Sequence, residues 1–471
     1  MHRASTLAIG FVGSSFLHLA SAQVQGPSSS QVPYVLPVAA GVQTVSILTV
    51  GDTVTSGGTS YRLAGIPDGL GAFRTQHNEF TLVANHEFVG TAGNVHAHGQ
   101  TGAFVSQWRI RRSDLSVVSG ADLIQSVTTT TGTAQLNRLC SGDLPNQLGF
   151  LPLFGQHGPL PQVFFSGEEA GNEGRAFAHF VTGPQAGESV ELPALGKLSF
   201  ENILVRPFPT FRTVAAVTDD TTPGQVYFYI GTKTWNGSFL DRAGFTHGSL
   251  YAVRVPGVPL EDRATGIGAA TRFELASLGD VSAKTGAQLQ ADSVAASATE
   301  FLRPEDGVWD PRNPRDFYFV TTDRFQTTTQ DARSRLWRLR FDSYFAPQLG
   351  GTITALLDGT EGQQMLDNLT IDRRGNLLMQ EDPGAQDHLA RIWQYTPATD
   401  TLKLIAEHNP AFFAPGAAGF LTRDEESSGI IDASDVLGTG WFLLDTQAHY
   451  ANGTELVEGG QLLALYNPDS H

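Results

Sequence analysis

Short runs of alternating apolar and polar residues recur along this chain. Each ends in acidic or polar residues, and each is followed, after a loop, by a second alternating run. The pairs are 80–87 with 103–110, 163–169 with 175–181, 213–220 with 225–230, 316–323 with 335–341, 376–382 with 391–395, and 440–445 with 461–466. Period-two alternation bounded by Gly, Pro, Asn and Asp predicts β-strands. Long amphipathic helices are hard to find. Six repeated units across residues 23–471 give roughly 75 residues each, longer than the ~40–45 of a compact propeller repeat, so the loops are long. The prediction is an all-β fold: a six-bladed β-propeller formed by residues 23–471 as a single domain, with long loops over one face. A pair of β-sandwiches would show a linker, and a β-helix would show shorter, stricter repeats.

Composition agrees with many short strands and tight turns: there are 51 Gly, 24 Pro and 29 Phe. The formal net charge is −17, which argues against nucleic acid as a partner and suits a protein that collects cations. Residues 1–22 read as a secretory signal peptide: a basic start at Arg3, an apolar stretch, and Ala20-Ser21-Ala22 as a cleavage site. A secreted or periplasmic location follows as the expectation. No further stretch is apolar enough to span a membrane, and a monomer is expected. The single cysteine, Cys140, excludes an intramolecular disulfide. By position alone it reads equally as a metal ligand or as a small buried hydrophobe.

In a propeller the first strand of each blade lines the central channel, so acids at the same end of successive first strands converge. Reading the repeated runs as those strands places Asn85, Glu87, Glu168, Glu169, Asp219, Asp220, Asp323, Glu381, Asp382 and Asp445 around one opening. Carboxylates so gathered raise one another's pKa and call for cations. Oxygen ligands in that number suit calcium. Four further segments lie just upstream of these runs: 138–143 with Cys140, 196–202 with Glu201, 301–307 with Arg303 and Glu305, and 367–372 with Asp367. A thiolate favours a transition metal over calcium. A guanidinium fork at Arg303 matches phosphate or carboxylate.

Asn85-His-Glu87, Cys140-Ser-Gly, Gly167-Glu-Glu169, Gly196-Lys-Leu-Ser-Phe-Glu201, Arg303-Pro-Glu305, Asp367-Asn-Leu and Gln447-Ala-His449, in that order, resemble the PhoX-type alkaline phosphatase family. In place of that family's Trp-containing segment after the cysteine stands Asp143-Leu-Pro with a long insert. The resemblance implies a six-bladed propeller holding iron and calcium, with Cys140, Glu201 and Glu305 as iron ligands. It also implies Glu87, Glu168 and Glu169 in the calcium or iron sites and Arg303 on the phosphate.

The function expected is a secreted, metal-dependent phosphomonoesterase acting on phosphorylated small molecules. Metal ligands are expected at Cys140, Glu201, Glu305, Glu87, Asn85, Glu168, Glu169 and Asp367. Two alternatives remain: a non-catalytic, calcium-stabilised binding propeller, and another propeller hydrolase such as a lactonase, which would not need Cys140 or Arg303.

Overall fold

The computed structural model describes residues 23–152, 159–262, 266–323 and 333–471. The predicted signal peptide, residues 1–22, lies outside the described residues. The fold is mostly β and propeller-like. Among the described residues its sheets resolve into six antiparallel units of four strands, each running outward from a central strand. The central strands are Pro67–Gln76, Leu139–Asp143, Phe200–Val205, Pro304–Trp309, Leu366–Ile371 and Glu425–Asp432. Each lies against the next, and the sixth returns to the first, so they form a closed ring.

The sixth unit takes its outer strand from the start of the chain: Gln43–Thr49 pairs antiparallel with Gly459–Tyr466. The strand Thr271–Gly279 runs between the outer edges of the third and fourth units and joins them into one sheet. Among the described residues no helix is long and apolar enough to cross a membrane.

The core is divided as strand alternation requires. Successive residues of a strand face opposite neighbours. Phe164 packs toward the first unit with Val83 and Val105, whereas Phe165 packs toward the third with Phe200 and Tyr227. Leu443 and Leu444 divide in the same way between the first and fifth units. Six buried apolar clusters result, one at each boundary between units.

One expectation needs correction. The runs read from the sequence as channel-lining are the second strands: Glu79–His86, Val163–Glu168, Arg212–Asp219, Asp316–Thr321, Leu377–Glu381 and Trp441–Ala448. Four of the innermost strands overlap the segments noted as lying just upstream, whereas Pro67–Gln76 and Glu425–Asp432 lie in stretches the sequence reading did not single out. In five of the six the alternation is broken by a register slip soon after the strand begins, so these strands carry a weaker periodic signal.

Candidate active site

Five of the six innermost strands begin in the same way. Their first residue pairs regularly with the second strand, and then one extra residue is inserted before pairing resumes. Pro67 faces His86 but Leu70 faces Ala84, and the same slip follows Leu139, Phe200, Pro304 and Leu366. A bulge of this kind leaves a residue out of the ladder and re-aims its side chain. The residue right after the first pair is Asp68, Cys140, Glu201, Glu305 or Asp367. In the sixth strand Glu426 takes that position, although the slip there comes later, after Ser428. Six units thus contribute one acid or thiol each to a first tier.

The bulges also need small residues. A methyl group at Gly69 would overlap the backbone of Ser141 and Gly142 in the next unit.

A second tier follows from the same repeat. The residue just beyond each second strand donates its backbone N–H to the carbonyl of the residue preceding the innermost strand. The pairs are Glu87 to Ile66, Glu169 to Arg138, Asp220 to Ser199, Thr322 to Arg303, Asp382 to Met365 and His449 to Asp424, all 2.8–3.1 Å. Four of these six are carboxylates. They include Glu87 and Glu169, which the sequence assigned to the site.

Among the described residues, these side chains come together in three groups whose ligand atoms lie within 4.8 Å of one another: Asp68, Glu87 and Cys140; Glu201, Glu305 and Asp367; Asp367, Asp382 and Glu426. Cys140 Sγ is 3.2 Å from Asp68 Oδ2 and 3.1 Å from Glu201 Oε2, which links the first group to the second. Thr322 Oγ1 donates to Glu305 at 2.5 Å. Gln447 Nε2 lies 3.3–3.4 Å from Asp68, Glu87 and Glu426. Arg303 grips Asp220 with Nε and Nη2 at 2.8 and 3.0 Å and lies 3.1 Å from Glu305.

Burial, then the neighbouring carboxylates, pushes Asp68, Glu201 and Asp367 well above the usual carboxylate range. Burial does the same to Glu305, although Arg303 works against it. Asp382 is raised to about 7, by burial and by Glu426. The Cys140 thiol is pushed up by burial and then by Asp68 and Glu201. Burial opposes a charged His449, but hydrogen bonds to Glu426 and Glu458 outweigh it and hold the imidazole up at about 11.

So many acids in contact stay charged together only around cations, which invert this order of pKa. The residues fit metal ions. Asp68 Oδ1, Glu201 Oε1 and Asn85 Oδ1 are buried with no hydrogen-bond partner, and one thiol sits among many carboxylates.

The remaining predicted positions divide. Asn85 Nδ2 donates to the Cys140 carbonyl at 2.6 Å and so holds the bulge in place. Glu168 is turned away from the three groups: Arg175 holds both its oxygens at 2.6 and 2.7 Å. Asp445 lies buried with neither oxygen partnered, whereas Asp323 lies near Arg335. Sequence reading missed Asp68 and Glu426. A signal existed in the shared beginnings Pro67-Asp-Gly, Leu139-Cys-Ser-Gly, Phe200-Glu-Asn, Pro304-Glu-Asp-Gly, Leu366-Asp-Asn and Glu425-Glu-Ser-Ser-Gly.

A family model described as "Alkaline phosphatase PhoX" matches residues 182–428, more than half of the chain. The chain belongs to the PhoX alkaline phosphatase family. Membership marks it as a phosphatase-type hydrolase. The solved structure of Pseudomonas fluorescens PhoX in complex with vanadate, a transition state analogue, is similar to this chain with a TM-score of 0.66 and 13% identity. The likeness covers 93% of this chain and 98% of that one, and it bears on fold. Pseudomonas aeruginosa periplasmic gluconolactonase reaches a TM-score of 0.35 at 12% identity, over 89% of this chain and 95% of that one. No curated protein matches the sequence.

Within the PhoX fold, the two tiers mark where this chain gathers its chemistry. Eleven of their twelve positions carry a carboxylate, a thiol or an imidazole, and Thr322 fills the last.

Proposed function

We propose that this chain is a secreted, metal-dependent phosphomonoesterase built on a six-bladed propeller, with each four-stranded unit as one blade. The carrying observation is the two-tier ring: one acid or thiol from each innermost strand, with Arg303 locked onto Asp220 at its edge. Family membership supports phosphate-ester hydrolysis, and the pattern of residues 1–22 supports export.

Cys140, Asp68, Glu201, Glu305 and Asp367 would hold iron, the thiol being the soft ligand among them. Glu87, Glu169, Asp382 and Glu426 would complete sites for iron or calcium, and the buried, unpartnered Asn85 Oδ1 would be an additional oxygen donor. When bound, these ions supply Lewis-acid charge at the phosphoryl oxygens.

The protein's own side chains do the rest. Asp220 fixes the plane of the Arg303 guanidinium, so that its N–H groups meet the equatorial oxygens of a phosphoryl group in a preset orientation. Such preorganisation is worth most when charge builds on those oxygens in the transition state. Thr322 orients the Glu305 carboxylate, and Gln447 spaces Asp68, Glu87 and Glu426. The Asn85–Cys140 hydrogen bond holds the thiol in the ring.

The test is elemental analysis of the purified protein together with hydrolysis of p-nitrophenyl phosphate, with and without chelator. Iron and calcium with chelator-sensitive turnover are expected. Calcium without turnover would overturn the proposal in favour of a binding propeller.

A further inference from the structure

The residue preceding each innermost strand occupies a third equivalent position: Ile66, Arg138, Ser199, Arg303, Met365 and Asp424. At four of these the backbone is left-handed, with φ of 46° at Ile66, 44° at Arg138, 57° at Arg303 and 47° at Met365. The strained turn is therefore a property of the repeat and not of any one side chain. Ile66 and Met365 use it to bury apolar side chains, 8% and 0% exposed. Only Arg138 and Arg303 place a guanidinium there.

The two arginines are built alike. Each reaches back to the second-tier carboxylate of the preceding unit: Arg303 to Asp220, and Arg138 to Glu87. Each also contacts an acid of its own unit, Glu305 for Arg303 and Glu169 for Arg138. Glu169 and Asp220 in turn act on each other electrostatically. Glu87, Arg138, Glu169, Asp220, Arg303 and Glu305 thus form one arc around the opening, in which each guanidinium lies between two carboxylates. The Arg138 side chain is 41% exposed, twice the 20% of Arg303. Its Nε is buried without a partner.

We infer that Arg138 is a second anion-binding residue, so that the site prefers phosphomonoesters whose leaving group carries a second phosphate. This rests on the reading of Arg303 as the residue that takes the transferred phosphoryl group. Arg303, more deeply set and tied to Glu305, takes that group. Arg138, more open and one unit removed around the ring from Glu201, meets a charge at the far end of the substrate. A bidentate guanidinium discriminates planar oxyanions from neutral groups by geometry as well as charge.

The experiment is calorimetric titration of the metal-loaded protein with propylphosphonate and with propane-1,3-diphosphonate, which are not hydrolysed. The diphosphonate is expected to bind at least tenfold more tightly. In Arg138→Gln the diphosphonate should lose at least tenfold more affinity than propylphosphonate, and Arg138→Lys should recover only part of it, since the charge returns without the fork. Equal binding of the two ligands to the unaltered protein overturns the inference. So does an equal loss of both in Arg138→Gln, or loss of metal from that variant, because Arg138 would then serve only to hold Glu87 and Glu169. Hydrolysis of p-nitrophenyl phosphate is scored separately: diphosphonate preference without turnover would sink the phosphatase reading and leave the second anion site standing.

Discussion

Cys140 Sγ lies 3.1 Å from Glu201 Oε2, across the boundary between the second and third units. The thiol is thereby tied to carboxylates on both sides, since Asp68 of the first unit is 3.2 Å away. On the proposed reading, a soft ligand between hard ones would favour a transition metal at this point of the ring. Cys140→Ala is expected to lose most of its iron while keeping calcium, and to lose about a hundredfold or more in activity, in line with the cost of disturbing metal sites. Elemental analysis of the purified variant decides it. Unchanged iron content would remove Cys140 from the ligand set.

Arg303 and Asp220 are expected to act as a unit. Arg303→Gln should lower kcat by about 10²–10³, the usual cost of losing one preorganised donor at a developing oxyanion. Asp220→Asn should lower it less, through misorientation of the guanidinium. The double variant should be no worse than Arg303→Gln, because the two side chains share one role. Additive losses in steady-state kinetics would mean that Asp220 has a separate task.

The metal-free protein should be more stable in mild acid than in base. Asp143, Asp219, Asp306 and Asp382 are each raised from 3.8 to about 7, burial being the main cause. The folded protein holds these protons where the unfolded chain has shed them. The stabilisation is therefore full below about pH 4 and is lost as pH rises through about 7, by about 1.4 kcal/mol per pH unit for each group. The chelated protein should show a Tm that falls between pH 5 and pH 8. Added calcium should restore it at pH 8, since an ion bound to the folded state alone stabilises by mass action. A flat Tm in chelator would contradict the account.

Glu168 is expected to be structural. Glu168→Gln leaves Arg175, only 11% exposed at its side chain, without its ion partner, which should cost roughly 3 kcal/mol. Metal content should stay the same. Chemical denaturation and elemental analysis on one preparation separate this outcome from a ligand role.

Gly69 is expected to tolerate no side chain. The Ser141–Gly142 backbone of the neighbouring unit occupies the space a methyl group would need, so Gly69→Ala should cost about 3 kcal/mol. Because the displaced segment includes the residue after Cys140, metal content should fall with stability.

Much of this site was legible as residues but not as an arrangement. The acids at 87, 169, 220 and 382 stand out because they end well-formed alternating strands, and the structure does bring them to one opening. Glu168 and Glu381 stand beside them in the sequence. Both turn instead to partners in their own units, Arg175 and His388, because adjacent strand residues point to opposite faces. All six first-tier residues lie on strands whose bulges break the alternation; Cys140, Glu201, Glu305 and Asp367 were found through the segments around them, and Asp68 and Glu426, with no such segment noted, escaped.

From its sequence alone this chain declares six strand-rich repeats, a surplus of acid and a lone thiol ahead of a Gly-Glu-Glu strand. Those properties are written in local periodicity and composition, which act over a few residues. Which strand of each repeat is innermost, and which of two neighbouring acids faces the channel, only the tertiary structure decided. The bulge that re-aims Asp68, Cys140, Glu201, Glu305 and Asp367 is a mismatch between two paired strands. The clustering of those residues depends on the ring of units closing upon itself. Both are relations between segments far apart in the chain, so no single stretch of sequence contains them.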